Sequence, residues 1–337
     1  MTLKNSVPAA TRARDALLKH AYAALFDAVV AACNASLSQG DEAEVFASIG
    51  LLDIFGFEAY EGPLNSLEQL LINYTNERLQ RHFTDFVFES EMAEYAREKI
   101  AWDPADFAFA SNEAVLSLID GGKKSLLATL DDECLLQARV SKQRGDAEDD
   151  DDDDRAPALL ARKLKGACGA SPSFACSTAQ ERDGAFAVAH YAGTVTYGAG
   201  LLVAKNMDAV PGDVAALLPP KCCYLVDAAL RGFDASVAPS PLKTPARKRA
   251  STRLEITTVA ARFRASLAEL SRDVDATTPH FIRCLKPNDD NGADALDRPR
   301  LVEQLRYCGV LEAVRVARAG YAVRLPHGAF VAAYKCL

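Results

Sequence analysis

Positive charge is in short supply. Lysine and arginine together number 38 against 46 aspartates and glutamates, a formal net charge of −8. That balance argues against non-specific nucleic-acid binding as the main activity. Part of the deficit lies in one run, Glu148 to Asp154, and the rest of the chain is closer to neutral. Histidine is scarce as well, at five residues, and none stands at metal-ligand spacing from a cysteine. The nine cysteines are odd in number and contain no Cys-x-x-Cys, although Cys222 and Cys223 are adjacent. The expectation is therefore reduced, mostly buried thiols in a cytosolic protein. No N-terminal apolar run resembles a signal peptide, and no stretch of about 18 apolar residues is evident for a bilayer span. There is no internal repeat. What is present is a globular composition, 49% hydrophobic and 25% charged, in a chain long enough for one large domain or two ordinary ones.

Helical spacing runs from Arg14 to about Leu37, carried by Leu18, Leu25, Phe26 and Val29. Ile49 to Ile54 reads as a buried strand, ending in a loop with Gly56 and the Glu61-Gly62-Pro63 turn. Ser66-Leu67-Glu68-Gln69 fits a capping box, and no glycine or proline follows until after Ile100. The predicted helix of some 30 residues would be roughly 45 Å long. Two shorter helices, Ala114 to Ile119 and Lys124 to Leu136, flank Gly121-Gly122. Arg144 to Pro157 reads as an acidic surface insert. Phe186 to Val195 has the pattern strand, turn, strand, and Ser236 to Arg253 that of a solvated loop. A helix is expected from about Thr257 to Leu270, a buried strand from His280 to Leu285, and a helix from Leu301 to Ala317.

Chemistry enters at Asp53-Ile54-Phe55-Gly56. An aspartate at the end of a strand, with glycine three residues on, recurs in enzymes that cleave nucleoside triphosphates. The aspartate orients a water on Mg²⁺, and the glycine N–H donates to a γ-phosphate oxygen. Loss of the phosphate releases the loop. An ordinary turn at a strand end has the same four-residue form.

The longer context narrows the choice. Leu51 to Glu58 closely resembles the second switch of myosin motor heads. Leu67-Glu68-Gln69-Leu70-Leu71-Ile72-Asn73-Tyr74-Thr75-Asn76-Glu77-Arg78-Leu79-Gln80 resembles the start of their relay helix, and Glu94 to Trp102 its end. Leu130 to Cys134, His190 to Val195, Pro279 to Asn288 and Gln304 to Glu312 are similar to further segments, in the family's order. The resemblance implies a mostly helical α/β fold of the P-loop NTPase type, containing part of a central mixed sheet. Residues 1–337 would be a partial motor domain. Residues 14–110 would hold the second switch and relay helix. Residues 111–232 would be a lower actin-binding subdomain with the acidic insert at 144–157, and 233–253 a basic surface loop. Residues 254–289 would supply a helix and a strand of the central sheet, and 297–337 pivot helices and the start of the converter.

The same resemblance implies roles. Asp53 would hold a Mg²⁺-bound water, Gly56 would sense the γ-phosphate, and Glu58 would pair with an arginine of the first switch behind the attacking water. ATP and Mg²⁺ are the implied cofactors of the complete head. Trp102, Gly309 and Gly320 would be mechanical positions, the glycines serving as pivots or equally as helix caps. Actin contacts would come from Lys123, Lys124, Leu126 and Leu127, from Lys243, Arg247, Lys248, Arg249 and Arg253, and from the segment Ala265 to Asp289. A mobile basic loop suits an acidic filament. No nucleic-acid partner, membrane insertion or bound light chain is expected, and the location would be the cytoplasmic cytoskeleton.

Departures accompany the resemblance. The family's two reactive thiols fall on Tyr307 and Ala317, and Gly320 to Arg324 lacks a frequent proline. Six aspartates, Asp149 to Asp154, stand where an actin-contact loop is expected. No Gly-x-x-x-x-Gly-Lys-Ser/Thr loop is found, because Gly121-Gly122-Lys123-Lys124-Ser125 has the wrong spacing. No first switch is found either. The sequence thus supports an actin-activated ATPase head whose isolated chain is expected to be inactive. A non-catalytic actin-binding module and an incomplete gene fragment are the alternatives.

Overall fold

The computed structural model describes residues 7–37, 47–100, 111–144, 155–207, 258–290, 292–310, 314, 318 and 325–335. Trp102, Gly320, the basic cluster Lys243 to Arg253, and Glu148 to Asp154 lie outside the described residues. Contacts divide the chain into two compact units. One comprises Met1–Asp53, Cys134–Asp152 and Met207–Val259, the other Ile54–Glu133, Asp153–Asn206 and Ala260–Leu337.

In the first unit, α1 (Val7–Leu37) is a 31-residue alanine-rich helix. Its proline, Pro8, sits in the first turn, where its missing N–H costs nothing. Among its described side chains only Ala24 is buried. One sequence expectation changes here. Ala13–Leu37 reaches a mean hydropathy of 1.4, so one helix is long and apolar enough by composition to cross a membrane. The value is spread over many alanines rather than held in an unbroken run of large side chains. Ile49 to Asp53 also departs from expectation. No strand forms there, and Ile49 and Leu51 are 92% and 94% exposed. An apolar run becomes a strand only with a neighbour to hydrogen-bond, and none is present among the described residues.

The second unit holds the core. Its spine is α2 (Leu67–Arg97), 31 residues long. Gln69 Oε1 accepts from Ser66 N–H at 3.0 Å, so the glutamine half of the predicted capping box closes the N-terminus. Leu67, Leu70, Leu71, Tyr74 and Phe83 are buried along it. At its end Lys99 adopts φ 56°, and Ile100 N–H closes back on Tyr95 O at 2.9 Å. Two helices follow, α3 (Glu113–Asp120) and α4 (Leu126–Arg144), of which the first eight residues of α4 belong to this unit. Then come α5 (Ala156–Cys168), β1 (Phe174–Ala175) and α6 (Thr178–Arg182). The hairpin β2 (Ala185–His190) and β3 (Gly193–Gly198) and the short α7 (Leu202–Asn206) complete this part.

The sheet is antiparallel in the order β1-β2-β3, with His190 opposite Gly193 across a two-residue turn. Strand β2 is buried at five of its six positions, so this central strand is enclosed on both faces, while β3 is buried only at Val195 and Tyr197. Phe186 and Tyr197, both fully buried, stack at 5.7 Å between ring centres, with Phe174 against Phe186 at 5.9 Å. The described residues are therefore mostly helical around a small antiparallel sheet, and no mixed sheet forms among them. His280 to Leu285 does not join the antiparallel sheet. That segment forms no strand pairing among the described residues, and Ile282 is 81% exposed.

The remaining helices are α8 (Val259–Asp275), α9 (Arg298–Tyr307) and α10 (His327–Tyr334). Asp297 caps α9 by accepting from Arg300 N–H at 3.1 Å. Gly309 ends it at φ 67°, its N–H donating to Arg306 O at 3.1 Å. A Cβ there would stand 1.9 Å from Gln80 Oε1 on α2. The left-handed backbone favours glycine, and a Cβ would in addition push aside the buried end of the Gln80 side chain. Gly309→Ala should lower stability by about 1–2 kcal/mol from the backbone alone, with displacement of the buried Gln80 adding to it. Urea unfolding of the two proteins checks this, and equal midpoints would show that the α9–α2 junction repacks freely.

Candidate functional site

The loop Ile54 to Tyr60 lies against the first half of α2 and is held there by carboxamides. Asn76 Nδ2 donates to Phe55 O at 3.1 Å. Asn73 Oδ1 accepts from Glu58 N–H at 2.8 Å while Asn73 Nδ2 donates to Glu58 O at 2.7 Å. Gln69 Nε2 donates to Glu58 Oε2 at 3.1 Å. Asn65, just before the helix, accepts from Tyr60 N–H at 2.8 Å and donates to Tyr60 O at 2.9 Å. Residues 69, 73 and 76 are four and three apart, so they share one face of the helix. The sequence carried this signal. Uncharged amides at i, i+4 and i+7 mark a helix face that receives loop backbone rather than core or solvent.

Below the loop is a buried polar chain. Asn73 Nδ2 also donates to Tyr197 OH at 2.9 Å. Tyr197 OH meets His190 Nε2 at 2.9 Å, and His190 Nδ1 meets Glu77 Oε1 at 3.0 Å. Glu77, fully buried, further accepts from Tyr191 N–H at 3.0 Å and from Asn112 Nδ2 at 2.6 Å. With Asn73 donating to the phenol oxygen, the phenol donates to Nε2 and the Nδ1–H tautomer donates to Glu77, so every member finds a partner. The chain joins the loop, α2, the hairpin and the residue before α3.

Burial raises the Tyr197 phenol well above the ordinary range, opposed by the Asn73 hydrogen bond and reinforced by Glu77. Burial raises Tyr191 too, with Glu77 next in effect. Tyr74 is pushed up to about 12, first by burial and then by the charge of Asp120, whose Oδ2 accepts its proton at 3.0 Å. An unfolded tyrosine ionises near about 10. The native state therefore holds these protons after the unfolded state would lose them, and the stability they contribute is full below about pH 10 and lost above it. Unfolding midpoints should fall steeply from about pH 10 towards pH 12, with tyrosinate absorbance appearing alongside unfolding. Ionisation of Tyr74, Tyr191 or Tyr197 from about pH 10 in a still-folded chain, read residue by residue by NMR, would contradict the buried network.

Phe57 fixes the loop from its other side. It is buried, with ring centres 5.3 Å from His190, 5.7 Å from Tyr191 and 5.3 Å from Tyr307 at the end of α9. Tyr191 OH donates to Tyr307 O at 2.7 Å. Tyr307, noted from sequence only as the place of a missing thiol, is thus a direct contact between the loop and the helix that ends at Gly309.

The amide-clamped Asp-x-x-Gly loop, the long helix beneath it and the hairpin network are a combination that a family comparison can decide. The sequence matches the family model described as myosin head (motor domain) over residues 1–337. The chain belongs to the myosin head family. Over 334 residues it is 37% identical to Myosin-3 of Arabidopsis thaliana, covering 98% of this chain and 26% of that protein. Over 324 residues it is 35% identical to unconventional myosin-XIX of Homo sapiens, covering 96% and 31%. Over 315 residues it is 34% identical to Myosin-13 of Arabidopsis thaliana, covering 94% and 19%. The chain thus spans between about a fifth and a third of the length of these relatives. The family is one of cytoskeletal motor proteins.

Within this myosin-head chain the sequence-derived site residues separate. Asp53 is exposed and ends one compact unit, while Gly56 and Glu58 belong to the other. Gly56 is exposed, and a Cβ there would meet no atom within 4 Å. Lys123 and Lys124 are exposed, on the turn between α3 and α4. Leu126 and Leu127 are corrected. They are 2% and 0% exposed, core residues of the first turn of α4, and cannot form a surface patch. Of Ala265 to Asp289, most positions are accessible, because the part expected to be a buried strand is exposed.

Proposed function

We propose that this chain contributes the second switch and the relay helix to an actin-activated ATPase motor. The observation that carries the reading is the clamp of Phe55 and Glu58 onto α2. Asn76, Asn73 and Gln69 tie Phe55 and Glu58 to the helix at 2.7 to 3.1 Å. A loop so tied cannot move without loading a helix of 31 residues. Such a helix carries displacement along its length rather than absorbing it.

The residues present fit part of a Mg·ATP site. The exposed Asp53 carboxylate is a hard oxygen donor suited to a hydrated Mg²⁺. Gly56 is exposed and carries no side chain, so a phosphate oxygen can approach its backbone N–H. When bound, Mg·ATP supplies the electrophilic phosphorus and the leaving group. The chain's own part is positional. Asp53 orients water, Gly56 donates its backbone proton, and Glu58 closes the pocket and excludes solvent. The phosphate loop and first switch belong to the complete head.

Actin is the proposed partner. Its contacts are the exposed Lys123 and Lys124, the basic residues Lys243, Arg247, Lys248, Arg249 and Arg253, and the accessible part of Ala265 to Asp289. Contacts of this kind are salt-dependent. Co-sedimentation of the chain with actin filaments at low and raised salt tests them. Pelleting at low salt that weakens with added salt is expected, and no pelleting at low salt would overturn the actin assignment.

A further inference from the structure

We infer that Gln69 and Asn73 are positioning residues for Glu58, fixing its peptide and its carboxylate separately. The inference rests on the proposed catalytic reading of Glu58. Asn73 meets both backbone groups of that one residue, its Oδ1 accepting from the N–H at 2.8 Å and its Nδ2 donating to the O at 2.7 Å. Two opposed bonds to one residue stop it from rotating. Asn73 is itself fully buried, and its second Nδ2 proton is taken by Tyr197 OH at 2.9 Å. The amide therefore has no freedom to turn, and its orientation is set by three partners.

Gln69 acts on the side chain. Its Oε1 is committed to Ser66 N–H at 3.0 Å, which leaves Nε2 as the group directed at Glu58 Oε2, 3.1 Å away. One carboxylate oxygen is thereby anchored, and Oε1 is left for a second partner such as a guanidinium. The helix cap and the carboxylate anchor are the two ends of one amide. The titratable groups around Glu58 are few. Glu68 on α2 is paired with Lys205 Nζ of α7 at 2.7 Å. Glu77 on α2, with His190 and Tyr197 from the hairpin, connects to it through Asn73.

A plain capping role for Gln69 and a positioning role come apart in Gln69→Glu. Glutamate serves the capping box as well as glutamine, but it cannot donate to Glu58 and places a second carboxylate beside it. Two carboxylates at this distance share a proton, and one of them titrates higher. In the isolated chain, carbon-detected NMR should show the Glu58 carboxyl titrating at higher pH in Gln69→Glu than in the unaltered chain, with the thermal midpoint held. In Asn73→Ala the Glu58 amide should exchange with solvent at least about tenfold faster, the loss of roughly 1.4 kcal/mol of local protection. In the complete head, Gln69→Glu should leave ATP association unchanged and slow the cleavage step. That defect should shrink as pH falls and the introduced carboxyl becomes able to donate. An unaltered Glu58 titration together with unaltered amide exchange overturns the positioning role, whatever the head does with ATP. An unmodified complete head that does not cleave ATP overturns the catalytic reading alone, and the chain-level measurements still decide the clamp.

Discussion

Glu77→Leu should unfold this chain at markedly lower temperature than any surface substitution. Glu77 is fully buried and is met by three donors, His190 Nδ1, Tyr191 N–H and Asn112 Nδ2, at 3.0, 3.0 and 2.6 Å. Its removal leaves His190 Nδ1–H without a partner in the interior and Tyr191 N–H without its carboxylate, while Asn112 Nδ2 keeps the backbone O of residue 77 at 2.9 Å. Each donor left unmade costs about 1–3 kcal/mol, together about 2–6 kcal/mol. For a domain of this size that corresponds to roughly 4–24 °C in midpoint. The leucine is of similar bulk, so a cavity is not the cause. Calorimetry on the isolated chain reads the shift. His190→Leu combined with Glu77→Leu should recover part of it, since the ring would no longer be stranded. A midpoint within a degree or two of the unaltered chain would mean that the network is not a stabilising element.

The second large effect lies in the chemistry. Glu58→Ala in the complete head should bind ATP and cleave it at least about a hundredfold more slowly, the scale of a lost positioning group. Nucleotide association should be little changed, because the phosphates are held elsewhere. A quenched-flow measurement of bound phosphate separates the two steps. Cleavage at the unaltered rate would remove Glu58 from the mechanism.

Much of the helical part of this structure was legible in the sequence. The long helix showed itself by its capping box at Ser66 and by the absence of glycine and proline to Ile100, and α2 runs from Leu67 to Arg97. The hairpin showed itself by alternating residues around Tyr191-Ala192, and β2 and β3 flank that turn. The two misread strands, Ile49 to Ile54 and His280 to Leu285, failed for a shared reason. Both have the apolar residues of a buried strand, but strand formation needs a hydrogen-bonded neighbour, and that is not a property of the segment itself. Leu126 and Leu127 failed differently. They sit beside Lys123 and Lys124 in sequence, which suggested a patch, but the turn at Gly121-Gly122 ends before them and the helix they begin turns them inward.

The site was legible as chemistry and not as architecture. Asp53, Gly56 and Glu58 stood out because their residue types and spacing are those of a phosphate-sensing turn. Gln69, Asn73 and Asn76 entered only as part of the segment resembling the relay helix, because an uncharged amide does not by itself single out a loop partner. The Phe57–Tyr307 contact, which joins residues 250 apart in the chain, as their numbers show, did not stand out. Long-range pairs of that kind depend on the packing of α9 against the loop, which local pattern does not encode.

The central claim is that the Asp53-to-Glu58 loop serves an ATP-cleaving, actin-responsive motor. It is tested most directly by the rate of phosphate release from the complete head at saturating ATP, measured with and without actin filaments. Release that is slow alone and faster with filaments, and slowed at least about a hundredfold by Glu58→Ala in both cases, is the predicted result. Release that is absent, or that proceeds at one rate whether or not filaments are present, would contradict it.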